Sequence, residues 1–443
     1  MPFFKTLLVK TPSGQNLWRI TWPMILANIS VPLLGFVDTA VVGHLSHPGF
    51  LAGTALGSLL VTGLFWLLGF LRMSTTGLVA QANNDHKHQA YIIGQGALWS
   101  CLLACIILLS QNAIFSGLLL FVEQGDMNLA LESAEQYFSI RIWVAPFALM
   151  NLVLAGFYIG RGLTKVVLIG VLIGNGVNLI LDILLVPVLG LGVKGVAYAT
   201  VVAEFSLFLF YSLLLAKHLA PTNWVSAWVI RFDTQILKLN SRLFFRSFLL
   251  QLCISFLTIY ATRFGDVVVA VNAILMQFFL FISFSLDGVA FALESLVGKA
   301  KGQKSHRKMM VYIRTGLIMA TGFAVFYALI YLTFHSVIIG LLTNIASIKQ
   351  LMDDYVVWIL LFPLVSYLSF VMDGIFVGLA WSQKMLSSML LASLVYFTVF
   401  IASTDMQNHG LWLAFSCFML TRGLTQALML QHYSKRFFET KLS

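Results

Sequence analysis

Apolar runs long enough to cross a bilayer alternate with short polar breaks along the whole chain. They fall at 18–45, 50–79, 91–117, 130–160, 165–188, 192–217, 237–264, 267–298, 309–343, 351–380, 385–404 and 408–433. A helix rises about 1.5 Å per residue, so about 20 apolar residues cross a hydrocarbon core about 30 Å thick. The pattern predicts an all-α polytopic membrane protein with twelve transmembrane helices. The breaks carry residues that end helices: Ser46-His47-Pro48-Gly49, Arg161-Gly162, Gly190-Leu191-Gly192 and the stretch from Lys299 to Lys308. The ninth run is long, and a tilt or break near His335 is expected in it.

Basic residues alternate between the breaks. One set holds Lys5 and Lys10, Lys87, Arg161 and Lys165, Lys217, Arg231 and Lys238, the Lys299, Lys301, Lys304, Arg307 and Lys308 group, Lys384, and Lys435, Arg436 and Lys441. The other set holds only Lys194, Arg263 and Lys349. Lysine and arginine accumulate on the cytoplasmic side of membranes. Both termini are therefore expected in the cytoplasm, of a bacterial inner membrane, which also requires an even number of spans.

The chain aligns with itself at an offset of 218 residues. Ala55 meets Ala273, Leu78 meets Leu296, Val79 meets Val297, Ala82 meets Ala300, Gly156 meets Gly374, Gly160 meets Gly378 and Gly192 meets Gly410. The register slips by one at Pro146 and Pro363. Six helices per repeat is an even number, so both repeats enter the membrane in the same direction. Two pseudo-symmetric six-helix lobes follow, related by an axis along the membrane normal: residues 1–217, a cytoplasmic linker at 218–236, and residues 237–443.

Composition narrows the function. Hydrophobic residues make up 59% of the 443 and charged residues 10%, against about 25% charged in soluble domains. The net charge of +10 is spread between apolar runs, which argues against a nucleic-acid surface. Cys101, Cys105, Cys253 and Cys417 lie within apolar runs, without the His or acid neighbours of a metal site, and read as packing residues. No P-loop pattern points to ATP, and no His/Glu or Ser/Lys set points to an intramembrane enzyme. The first sixteen residues lack the apolar core of a cleaved leader.

Charges inside spans are expensive and concentrate at functional sites. The N-terminal repeat holds Asp38 in its first span and Asp182 in its fifth. Asn175 and Asn178 precede Asp182 by seven and four residues and share its helix face. Tyr137 and Thr200 add polar groups in the fourth and sixth spans. At the 218-residue offset, Asp38 corresponds to Phe256 and Asp182 to Phe400, so this acid pair belongs to one repeat alone. Burial favours the neutral form of a carboxyl, as a proton carrier requires. A sodium site built from the same oxygens is the alternative, and hydrogen bonding between helices is the structural one. Pro23 and Pro32 each remove a backbone hydrogen bond from the first span, making it a candidate bending element. The C-terminal repeat has Asp287, Glu294 and Asp373, which suit either substrate contact or pairing with Arg246, Arg263 or Arg422. Arg72 and Glu204 read the same two ways, and Arg141 reads as interfacial.

The stretch from Pro23 through Leu26-Ala27-Asn28 to Asp38-Thr39-Ala40 resembles the first helix of the MATE (multidrug and toxic compound extrusion) transporters, in their DinF (DNA-damage-inducible protein F) branch. Arg72-Met73-Ser74-Thr75-Thr76-Gly77-Leu78, Asn175-Gly176-Val177-Asn178 to Asp182, Asp287-Gly288 with Glu294, and Asp373-Gly374-Ile375-Phe376-Val377-Gly378 resemble its second, fifth, eighth and tenth helices. The likeness runs from about residue 17 to residue 433. It implies two six-helix lobes, alternating access, and export of cationic or amphipathic compounds against inward H⁺ or Na⁺. By the same resemblance, Asp38 is the coupling acid, Asp182 with Asn178, Tyr137 and Thr200 its partners, and Pro23 the site of the bend. No cofactor is expected beyond the coupling ion, and no nucleic-acid partner. Membrane lipids surround a chain expected to act as a monomer. A lipid or lipid-linked oligosaccharide flippase of the same superfamily is the competing reading.

The charge asymmetry predicts that loops 46–49 and 118–128 face the periplasm. With His47→Cys as the sole cysteine, an impermeant reagent is expected to label intact cells. Labelling only after membrane disruption overturns the assignment.

Overall fold

The computed structural model describes residues 11–43, 48–119, 128–219 and 233–442. Lys5, Lys10, loop 118–128 for the most part, linker residues 220–232 and the side chains of Asp38, Lys435, Arg436 and Lys441 lie outside the described residues. Among those described there is no strand. The helices are α1 (Pro12–Gly43), α2 (Pro48–Leu67), α3 (Phe70–Ala82), α4 (His86–Leu109), α5 (Gln111–Leu119), α6 (Asn128–Arg141), α7 (Ala145–Gly160), α8 (Thr164–Ile183) and α9 (Gly192–His218). They continue with α10 (Thr234–Ala261), α11 (Asp266–Gly302), α12 (His306–Leu342), α13 (Ala346–Gly378), α14 (Ser382–Ala402) and α15 (Asn408–Leu442).

Eleven segments among the described residues are long and apolar enough to span a membrane. The 32-residue α1, uncharged from Ile20 to Val37, makes the twelfth. It runs as one helix through Pro23 and Pro32. The expected break near His335 is absent. Helix α12 is continuous from His306 to Leu342, and His335 Nδ1 sits 2.9 Å from the Tyr331 carbonyl one turn back, so the ring is satisfied within the helix. Interruptions occur elsewhere. The second run breaks at Leu68-Gly69, and the fourth tightens into a 3₁₀ turn at Ile142–Val144. Pro146 explains the second: its ring crowds the preceding turn and it has no N–H to donate there. The fifth span closes with a π turn at Leu184–Val188 around Pro187.

The chain divides into two compact units, Leu26–Leu237, and Met1–Ile25 with Lys238–Ser443. In the first, α2 and α3 pack along α6 and α7, α8 packs on α9, and α9 also lies on α6 and α7. In the second, α11 packs along α13, α14 on α15, and α15 also lies on α13. These are the same pairings at the 218-residue offset. The match extends to single atoms. A Cβ on Gly156 would stand 2.6 Å from the Arg72 carbonyl oxygen, and one on Gly160 2.7 Å from that of Thr76. In the other unit, Gly374 would meet the Ala290 oxygen at 2.4 Å and Gly378 the Glu294 oxygen at 2.7 Å. Adding 218 to each of the first four numbers gives the second four.

The turn that follows is repeated too. Leu163 N–H donates to the Tyr158 carbonyl at 2.8 Å and Gly162 N–H to Ile159 at 2.8 Å; Trp381 N–H donates to Phe376 at 2.9 Å and Ala380 N–H to Val377 at 2.9 Å. Both caps need a left-handed residue, filled by Gly162 (φ +77°) and, against the steric preference of an L side chain, by Ala380 (φ +51°).

Lipid tails are as apolar as the helices they surround, so helix association relies on close backbone approach at small residues. Gly374→Ala is therefore expected to cost about 1–3 kcal/mol through overpacking, read as a lower melting temperature in detergent. Gly63, with nothing within 4 Å of its would-be Cβ, serves as the control, and Gly63→Ala should not lower it.

Candidate functional site

Helix α8 carries Asn178 and Asp182 one turn apart, both fully buried. Helix α9 packs on it and supplies Thr200. Asn178 Nδ2 donates to Thr200 Oγ1 at 3.3 Å, and Thr200 Oγ1 donates to its own helix at the Val196 carbonyl, 2.9 Å away. The Thr200 hydroxyl thus spends its proton on the backbone and accepts from the amide. Asn175, on the same face of α8, turns elsewhere: its Nδ2 donates to the Ser30 carbonyl of α1 at 3.2 Å. Buried Tyr137 reaches the cluster from α6 through apolar contact, packed with Val42 of α1, Val186 of the π turn, and Val193, Val196 and Ala197 of α9. Val42 lies one turn beyond position 38 on α1. The Asp38 side chain is outside the described residues, so the structure brings together Asn178 and Thr200 directly, with Asp182 and Tyr137 around them. Pro23 is buried within α1.

The second unit shows what the same scaffold holds when it lacks these groups. Positions 38, 178, 182 and 200 become Phe256, Tyr396, Phe400 and Phe418. Their rings form a chain: Phe256 meets Phe400 at 5.0 Å and Tyr396 at 6.0 Å between centroids, and Tyr396 meets Phe418 at 6.0 Å. Edge-to-face aromatic contacts fill the volume and leave only the Tyr396 hydroxyl as a polar group. The polar cluster is a departure from this filling, in one repeat only.

The three acids of the second repeat occupy different surroundings. Asp373 accepts a close ion pair from Arg246, lies 3.6 Å from Arg422 Nη2 and accepts from Gln426 Nε2 at 3.0 Å. Arg422 donates to Ser369 Oγ at 2.9 Å and stands 5.8 Å from the ring centroids of Phe370 and Phe418. Asp287 is within electrostatic reach of Arg422. Glu294 is buried on the α11 face that meets α13 at Gly378. Among the described residues no group of three His, Cys, Asp or Glu side chains stands together as a metal site would require.

Sequence reasoning passed over one group. Asn151 of α7 donates its Nδ2 to Glu204 Oε2 at 2.8 Å and to the Glu204 carbonyl at 3.0 Å, and Arg141 Nη2 lies 3.8 Å from Glu204 Oε1. Arg141 is buried. The 53-residue spacing of Asn151 and Glu204 returns in Ser369 and Arg422, their partners at the repeat offset, and this shared spacing is the signal that would have paired them.

The MatE family model matches residues 23–184 and, a second time, residues 243–401, so each repeat matches on its own. DNA damage-inducible protein F of Escherichia coli (strain K12) is 36% identical over 433 residues, spanning 94% of this chain and 92% of its own. A probable multidrug resistance protein NorM of Bacillus subtilis (strain 168) is 24% identical over 79% of both chains. In fold, a crystal structure of MATE in a bent conformation matches with a TM-score of 0.84 at 19% identity over 98% of both chains, and one in a straight conformation with 0.82. A variant of the Vibrio cholerae MATE transporter VcmN matches with 0.83 at 19% identity, over 95% of this chain and 97% of its own. With each repeat matched by the family model and most of its length shared with a relative 36% identical, this chain is a member of the MatE family, a family of multi-pass membrane transporters.

Proposed function

We propose that this protein is a multidrug exporter of the bacterial inner membrane, driving lipophilic or cationic small molecules outward by proton antiport, with Asp38 and Asp182 as the coupling acids. The observation that carries the reading is the replacement of an aromatic packing cluster by Asp38, Asn178, Asp182 and Thr200 in one repeat alone. Burying such groups costs free energy unless each is partnered, and packing alone is already served by the aromatic version. The contact of Phe256 with Phe400, the residues standing where the two acids stand, supports treating Asp38 and Asp182 as one unit. The relative named as a probable multidrug resistance protein supports the cargo class.

The mechanism follows from the protonation of that unit. Ionised, it needs donors, and the Asn178 amide and the Tyr137 hydroxyl are the donors at hand, with Thr200 orienting the Asn178 amide. Protonated, it loses its charge and its claim on them. The free-energy difference between two conformations then changes by about 1.4 kcal/mol for each unit by which their proton affinities differ. Helix α1 carries the change: Pro23 lies 15 residues from Asp38, about 22 Å along the helix, and the missing backbone bond at the proline is where bending is cheapest. Alternating access follows when bending of α1 opens one side of the lobe and closes the other. The chain works as a monomer among membrane lipids, with both termini in the cytoplasm and no cofactor.

Asp38→Asn and Asp182→Asn are each expected to insert and fold while abolishing gradient-driven export in proteoliposomes. Asp38→Asn protein that exports at the wild-type rate overturns the assignment. Pro23→Ala should slow cycling and leave proton binding intact. Proton coupling is separately checked by imposing one gradient at a time. Export of a fluorescent lipophilic cation should follow a pH gradient, and export that follows a sodium gradient while ignoring pH identifies sodium as the coupling ion.

A further inference from the structure

The first two residues of α15 fasten it to two different helices. Asn408 faces α11, where its amide and that of Asn272 bond each other reciprocally at 2.9 and 2.8 Å. Trp412 Nε1 adds a bond to Asn272 Oδ1 at 2.7 Å, and all three side chains are buried. His409 faces α13. Its ring stacks on Tyr355, with centroids 4.3 Å apart and planes within 12°, and its Nδ1 accepts from Trp358 Nε1 at 3.0 Å. An indole N–H can only donate. Nδ1 must therefore keep its lone pair, and the ring proton of neutral His409 sits on Nε2.

The two fastenings answer differently to acid. The paired amides of Asn408 and Asn272 do not titrate. An imidazolium has an N–H on both nitrogens and no acceptor, so once His409 is protonated no rotation of its ring offers one to Trp358. Tyr355 still holds the ring, because an aromatic face attracts a cation. One contact is lost, the hydrogen bond from α13 to α15. The scaffold does not itself call for a titratable group here. At the 218-residue offset Tyr355 corresponds to Tyr137, but Trp358, Asn408 and His409 correspond to Ile140, Gly190 and Leu191. The other charges at this end are Asp353 and Asp354 on α13, Asp405 in the turn before α15, and Arg263 and Asp266 at the start of α11, all exposed, with half-buried Lys349. Helix α14 carries only Lys384, in its first turn at the opposite end, and α15 has no charge before Arg422. Ordinary carboxylates titrate about two units below an imidazole, so a step in the imidazole range belongs to His409.

We propose that His409 is a proton-operated pin: neutral, it ties α15 to α13 through Trp358, and protonated, it releases Trp358 while Asn408 stays fastened to Asn272. This end belongs with the breaks that hold Arg263 and Lys349, the sparse basic set that the charge asymmetry assigns to the periplasm. Acid outside the cell then loosens the outer end of the second repeat, on the side from which antiport draws its protons. The pin goes beyond the antiport reading, which needs only the acids of the other repeat.

The test reads the indole N–H signals of the full-length protein, purified in detergent and labelled with ¹⁵N-tryptophan. Ten signals are expected, and the one lost in Trp358→Phe is that of Trp358. It should move upfield in one step between about pH 8 and pH 5, the range in which an imidazole changes charge, as its hydrogen bond is released. His409→Asn keeps an acceptor near the position of Nδ1 and cannot titrate, so the signal should no longer respond to pH. His409→Phe keeps the stack on Tyr355 without an acceptor, and should hold the signal on the low-pH side of the wild-type titration. A Trp358 signal that does not move in the wild type, or whose step survives in His409→Asn, overturns the proposal. So does a His409→Phe signal on the high-pH side. If one variant does not fold, the wild-type titration and the other variant decide. None of these readings involves export, so failure here leaves the antiport reading standing, and absence of antiport in proteoliposomes leaves the pin standing.

Discussion

Backbone contact at Gly156 and Gly160, and again at Gly374 and Gly378, is the constraint on which the rest of the structure depends. In a membrane no hydrophobic force drives one helix onto another, and packing at close range must supply the association. The four glycines let α7 ride on α3 and α13 ride on α11 with carbonyl oxygens less than 3 Å from where a Cβ would be. That approach fixes the relative height of the two helices to within a fraction of a turn. The cap at Gly162 and its counterpart at Ala380 then set the exit direction, and the next helix, α8 or α14, is delivered to the same place in each unit. Asp182 and Phe400 therefore occupy equivalent positions because of glycines more than twenty residues earlier in the chain.

A scaffold built twice offers an internal control that a single domain lacks. Where both repeats hold the same residue, as at the glycines, geometry demands it. Where they differ, geometry permits either, and the difference has another cause. The aromatic chain from Phe256 through Phe400 and Tyr396 to Phe418 satisfies packing with edge-to-face contacts and leaves only the Tyr396 hydroxyl to be accommodated. The polar version at 38, 182, 178 and 200 costs desolvation, which must be offset by bonds such as that from Asn178 to Thr200. Natural proteins retain such costs where function requires them.

Helices, their number and the repeat were legible in the chain because apolar run length and a constant offset survive without any knowledge of packing. The face shared by Asn178 and Asp182 followed from helical period alone. The breaks were harder. His335 looked like an interruption because a polar ring sits in an apolar run, yet it bonds to its own helix at Tyr331. The turn at Ile142–Val144 left only Pro146 as a sign, and Pro363, which sits inside an unbroken α13, shows that proline does not by itself stop a membrane helix. Asn151 escaped notice for a different reason. A lone amide in an apolar run carries no charge and no motif, and only the folding of α7 against α9 places it beside Glu204.

The two repeats also handle buried charge in opposite ways, and the difference bears on which of them can move. In the second unit Asp373 is paired with Arg246 and Arg422 and accepts from Gln426, so displacing the carboxylate leaves two buried guanidinium groups uncompensated. Such a network resists rearrangement. In the first unit the Arg141–Glu204 pair is long, and its carboxylate also accepts from a neutral amide. Separating that pair costs far less than opening the other network, since Glu204 retains Asn151 when the arginine leaves. Proton coupling of the kind proposed here supplies only a few kcal/mol, which favours charges held loosely in the part that responds. Under the proposed proton coupling, the more loosely held pair lies in the repeat that carries Asp38 and Asp182.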